Sequence, residues 1–130
     1  MQTLLGVLLA AALLSATLPL RAHHSFAAHF DATKPVTLTG AVTKVEWTNP
    51  HVWFYVDVRD DSGVSANWAM EMGSPNALLR GGWTRNSMTV GDVVTVDGFR
   101  SRDGSTSAAA AVIVLVRTGQ KLFAAQSAAQ

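Results

Sequence analysis

From Val36 onward, apolar and polar positions alternate with a period of two, which is the pattern of strands that bury one face. Val36, Leu38, Gly40 and Val42 fall on one side, and Thr37, Thr39 and Thr43 on the other. Val45 and Trp47 resume apolar character in the opposite phase, which places a bulge near Lys44. Thr48-Asn49-Pro50 is a turn, because Pro50 fixes its own φ and drives Asn49 into an extended conformation. The second strand is the clearest element. Val52, Phe54, Val56 and Val58 face the core, while His51, Trp53, Tyr55, Asp57 and Arg59 point the other way. Asp60-Asp61-Ser62-Gly63 is a hairpin turn. A third strand runs from Val64 to Met72, with Val64, Ala66, Trp68, Met70 and Met72 on one face and Asn67 and Glu71 on the other.

The pattern then changes. Ser74 suits a helix N-cap and Pro75 a first helical position; Ala77, Leu78 and Leu79 form the body, and Gly81-Gly82 stop it. Trp83 to Met88 connects to a turn at Val90-Gly91-Asp92 and a fourth strand from Val93 to Phe99. Arg100 to Ser107 is a charged, Gly/Ser-rich loop before the apolar fifth strand, Ala108 to Val116. Thr118-Gly119 turns into a short last strand, Gln120 to Phe123, and residues 124–130 read as a frayed tail. Ahead of Val36, residues 23–35 have no period and read as an N-terminal arm. Three strands, a short helix and two strands is the order of the OB-fold. A β-sandwich would need about seven strands in a similar length. The expected fold is therefore mainly β, a small OB-like five-stranded barrel over residues 36–123 with one helix between strands three and four.

Residues 4–18 are an uncharged apolar run, shorter than the roughly 20 residues that cross a bilayer. Pro19 breaks it, and Leu20-Arg21-Ala22 follows. That order describes a signal peptide over residues 1–22, cleaved after Ala22, and it predicts export to the periplasm. Loss of Arg21 takes the 10 basic residues of the chain to 9, equal to its 9 acidic ones. A neutral mature chain argues against nucleic acid or an anionic membrane surface as partner. There is no cysteine, so neither a disulfide nor a thiolate metal site is available.

The four histidines are His23, His24, His29 and His51, three of them in the arm. After cleavage His23 is the first residue and offers a metal both its α-amine and its ring. His24 or His29 adds a second ring, and His51 a ring borne by the domain. Nitrogen-rich tetragonal sets suit Cu(II) best, and copper is the expected metal. Glu46 and Glu71 are expected to add an oxygen or to orient a ligand ring. The alternative is a solvated arm with His51 holding its own turn. Met70 and Met72 share a face with Trp68 and read as core rather than as thioether ligands. Trp53 and Tyr55, outside the core face, either stack on a glycan, peptide or protein partner or are covered by Phe26 and Phe30 of the arm. No serine sits in a nucleophile elbow, and Gly81-Gly82 follows a helix instead of leading into one, so no enzyme activity is expected.

HHSF at 23–26, EWTNPH at 46–51 and EMGSPNALLRGGW at 71–83 together resemble a bacterial family of small exported proteins classed as a domain of unknown function. The resemblance implies export and one compact β domain, and it implies no activity. The expected function is that of a non-enzymatic periplasmic binding protein for a metal ion or small ligand, with an envelope protein as a further possible partner.

Overall fold

A computed structural model describes residues 26–126. The apolar run, the cleavage position, His23 and His24 lie outside the described residues, as do residues 127–130. The strands are β1 (Phe30–Glu46), β2 (Trp53–Arg59), β3 (Ser65–Glu71), β4 (Val93–Ser101), β5 (Ser107–Leu115) and β6 (Lys121–Phe123). Helix α1 (Pro75–Arg80) lies between β3 and β4. The fold is mainly β, with all six strands in one sheet of order β3-β2-β1-β4-β5-β6. These neighbours pair antiparallel. In addition β3 pairs parallel with β5, Ala69 to Glu71 against Ser107 to Ala109, so the pairings β1-β2-β3-β5-β4 return to β1.

The alternation seen in the sequence is what fills the interior. Val52, Phe54 and Val56 are fully buried, as are Met70 and Met72, and these join Val42, Leu78, Val94, Val96 and Ile113 in one cluster. Complete burial of the two methionines places them in the core. The β1 bulge falls where the phase changes: Val42 pairs with Val56 and Lys44 with Tyr55, leaving Thr43 as the extra residue. Val45 and Trp47 thereby turn back onto the core. In α1, Ser74 Oγ accepts the Ala77 N–H at 3.2 Å, Pro75 opens the first turn, and the Gly81 N–H donates to the Ala77 carbonyl. Leu78 packs inward while Leu79 is exposed, as a helix this short can bury only one side.

Four elements differ from the pattern reading. β1 starts at Phe30, inside the segment read as an aperiodic arm. Phe30 pairs with Ser101 and Pro35 with Phe99, and the ladder shifts register between them. Residues 32–35 are exposed on both faces, so no alternation marks them as strand. Val64, expected inside, is 63% exposed, because the hairpin turn extends to it through the Asp60 carboxylate, which accepts its N–H. Trp83, expected in a connector, is buried, with its indole N–H donated to the Phe123 carbonyl at 2.8 Å. Residues 124–126, expected to fray, are docked. The Ala124 N–H donates to Ala111, and the Ala124 carbonyl accepts from the Gly73 N–H at 2.7 Å. Alanine-rich sequence carries no periodic signal for such docking. Gly73 permits it, since a Cβ there would lie 2.4 Å from the Ala125 carbonyl oxygen.

Candidate functional site

The outward face of β2 is built by register. Trp53 stands opposite Glu46 of β1 on one side and Glu71 of β3 on the other, and Tyr55 stands between Lys44 and Ala69. A row of carboxylate, indole and carboxylate therefore crosses three strands. Glu46 takes the Lys44 ammonium on one oxygen and the Tyr55 hydroxyl, at 3.0 Å, on the other. The Lys44 bond, followed by that of Tyr55, holds the Glu46 carboxyl below its ordinary value. Burial and then the Glu46 bond push the Tyr55 phenol up. The Lys44 ammonium also lies 5.3 Å from the centre of the Tyr55 ring. Among the described residues Tyr55 is thus engaged by its β1 neighbours, and Glu46 meets Lys44 and Tyr55 and no histidine.

His51 and Glu71 meet. The His51 ring presents Nδ1 to Glu71 Oε1 in a direct contact. Both backbones are fixed around it. The Val52 N–H donates to Gly73, the Met72 N–H to Val52, and the Thr48 hydroxyl to the His51 carbonyl at 3.1 Å. The Gln126 side-chain amide donates to the Glu71 carbonyl at 2.7 Å. Glu71 is 9% exposed overall, whereas the His51 side chain is about one-third exposed. The carboxylate on Nδ1 orients the ring, and among the described residues Nε2 has no hydrogen-bond partner.

The arm reaches the same carboxylate from another direction. Residues 26–29 form one helical turn. Phe26 packs on Phe30, with ring centres 5.5 Å apart, and edge-on against Phe99 at 6.2 Å. Arg102 fastens the turn: its guanidinium donates to the Ala27 carbonyl at 2.7 Å and its N–H to the His29 carbonyl at 2.8 Å. His29 and Phe30 then line a cleft of about 280 Å³ with Trp53, Glu71 and the β4–β5 turn. Phe30 of the arm lines that cleft together with Trp53, while Phe26 packs on Phe30 and Phe99.

The turn contributes Asp103, which the sequence reading passed over as part of a charged loop. Its Oδ1 accepts the Ser105 N–H at 2.9 Å and the Ser101 hydroxyl at 2.7 Å. The Asp-Gly-Ser order at 103–105 is the available signal, because an Asp carboxylate readily bonds the backbone N–H two residues on. The Ser105 N–H, then the Ser101 and Ser105 hydroxyls, bring the Asp103 carboxyl down to about 2. With a depressed folded-state value, the turn keeps this stabilisation above the ordinary carboxyl value of 3.8 and loses it as pH falls through about 2. An NMR titration of the side-chain carboxyl carbon is expected to show a midpoint near 2, with slowed exchange of the Ser105 amide lost over the same window. A midpoint near 3.8 would contradict these bonds.

Of the histidines read from the sequence, His51 is joined to Glu71 and His29 shares the cleft with Glu71. Among the described residues no group of three or more His, Asp or Glu side chains is arranged to hold a metal ion. The model of a family of unknown function, DUF6152, matches residues 11–110. No curated protein matches the chain.

Proposed function

The chain belongs to the DUF6152 family of unknown function, and we propose that it is an exported, non-enzymatic binding domain whose ligand is a metal ion, copper by preference, held at His51. The observation that carries this reading is the contact of His51 Nδ1 with the nearly buried Glu71 carboxylate. A carboxylate on one ring nitrogen orients a metal-binding imidazole and raises the basicity of the other. Glu71 thus takes the orienting role, and Nε2 of His51 is the domain-borne ligand.

The remaining donors come from the N-terminal segment. His23 would give its amine and ring, and His24 or His29 an alternative ring. His23 lies three residues ahead of docked Phe26, a reach of about 10 Å in extended chain. Those nitrogens with His51 favour Cu(II) over harder cations. Export to the periplasm rests on the apolar run and small residue at the N-terminus. The closed circuit of pairings with α1 between β3 and β4 supports an OB-like barrel as the scaffold.

Glu71→Gln keeps the shape of the side chain and removes its charge. By Cu(II) calorimetry it is expected to weaken binding by about 10- to 100-fold, the usual effect of losing an orienting carboxylate. Unchanged affinity would mean that Glu71 does not serve a metal ligand. A second reading, recognition of a glycan, peptide or protein partner, rests on Trp53 alone, since Trp53 lines the cleft while Tyr55 is engaged by Glu46.

A further inference from the structure

We infer that the cleft between the arm, Trp53 and the β4–β5 turn binds a small protonated amine, with Glu71 and Asp103 as its counter-charges and Trp53 as its wall. His51 is not among the residues lining the cleft, although Glu71, which His51 contacts, is. Its volume, about 280 Å³, lies just below the usual range for ligand pockets, about 300–1,000 Å³, and suits a small ligand.

The charges around it are one-sided. Among the described residues two carboxylates line the cleft, and neither Lys nor Arg does. The Arg102 guanidinium, next to Ser101 and Asp103 in the chain, is turned to the Ala27 carbonyl and to Asp31, 3.8 Å away. Glu71 is nearly buried, and its Oε1 is met by His51 from outside the cleft. Its Oε2 accepts no hydrogen bond from the described residues. A buried carboxylate with one oxygen open favours a cation beside it. Asp103 is held by the Ser101 and Ser105 bonds to Oδ1, which leaves Oδ2 available without any rearrangement.

The walls select the kind of cation. Trp53 and Phe30 line the cleft with aromatic surface, which attracts an ammonium group and packs against a short alkyl chain. The Ser107 hydroxyl and the carboxylates accept N–H donors. A neutral polyol could pair with the serine hydroxyls, the Trp53 indole N–H and the His29 ring, but it would bring no charge to offset the two carboxylates. A bare metal ion would need a convergent donor group, and the described residues hold none.

The test uses the whole chain with a chelator present, so that it is independent of copper. The probes are 1,4-diaminobutane and its neutral counterpart butane-1,4-diol, followed by calorimetry and by the NMR signal of the Trp53 indole N–H. The diamine is expected to bind and to shift the Trp53 signal, and the diol to do neither. Asp103→Asn retains the Oδ1 acceptor that builds the turn, so the fold survives, and it should weaken the diamine at least about tenfold, the factor for one charge-assisted bond. Equal binding of diol and diamine would overturn the proposal. So would full diamine affinity in Asp103→Asn, or a Trp53 response to calcium or zinc ions, tested without chelator, but not to the diamine.

Discussion

Phe54→Ala is expected to destabilise the domain by about 3–5 kcal/mol, the range for deleting a buried aromatic side chain. Phe54 is fully buried near the start of β2. It faces Met70 across one ladder and Val45 across the other, so its ring joins three strands. Met70 is itself held by strand pairing on both sides, with Phe54 and with Ala108, and cannot readily collapse into the space. A loss of this size is a large share of the roughly 5–15 kcal/mol by which single domains are stable. Urea unfolding reads it as a lower midpoint with an unchanged slope. A loss under about 1 kcal/mol would mean that Phe54 is not packed as described.

Gly98→Ala is the second large effect and arises from the opposite cause, too much side chain. A Cβ at position 98 would lie 2.2 Å from the carbonyl oxygen of Ala109 and 3.1 Å from its carbonyl carbon. The obstacle is backbone, and it has nowhere to go. Ala109 pairs with Phe99 of β4 on one side and with Glu71 of β3 on the other. The β4–β5 ladder already shifts register between Asp97 and Gly98, and the glycine sits where the two backbones leave no room for a Cβ. Overpacking costs about 1–3 kcal/mol where side chains can yield. Here the loss is expected at or above the top of that range, with faster amide exchange along β5. A wild-type unfolding midpoint would show that β4 and β5 can separate there without penalty.

The strength of the local signal decided what the sequence disclosed. β2 was legible because Val52, Phe54 and Val56 alternate with polar residues and its inner face is completely buried. The helix was legible because Ser74, Pro75 and Gly81 each act through their own backbone chemistry. The beginning of β1 was not, since residues 32–35 are exposed on both faces and leave no period to read. Docking of residues 124–126 depends on Gly73, some fifty positions away in the chain, and no local pattern encodes such a partner.

The site divides in the same way. His51 and Glu71 were both identifiable by residue type and by their place outside the core face. Their contact follows from the β2–β3 register, which sets Trp53 opposite Glu71 and so brings the residue two places before Trp53 to the same end of the ladder. Glu46 looked equivalent to Glu71 in the sequence. It differs because Lys44 and Tyr55 stand beside it and occupy both its oxygens. Asp103 was hidden in a polar loop whose turn geometry, and not its composition, aims the carboxylate.

The central claim, a metal ion held at His51, is tested most directly by titrating Cu(II) into the chain beginning at His23, its first residue verified by intact mass, beside His51→Ala. The account predicts tight one-to-one binding that falls by at least about tenfold in the variant, the lower bound for loss of an oriented ligand. Absent binding, or binding that His51→Ala leaves unchanged, would contradict it.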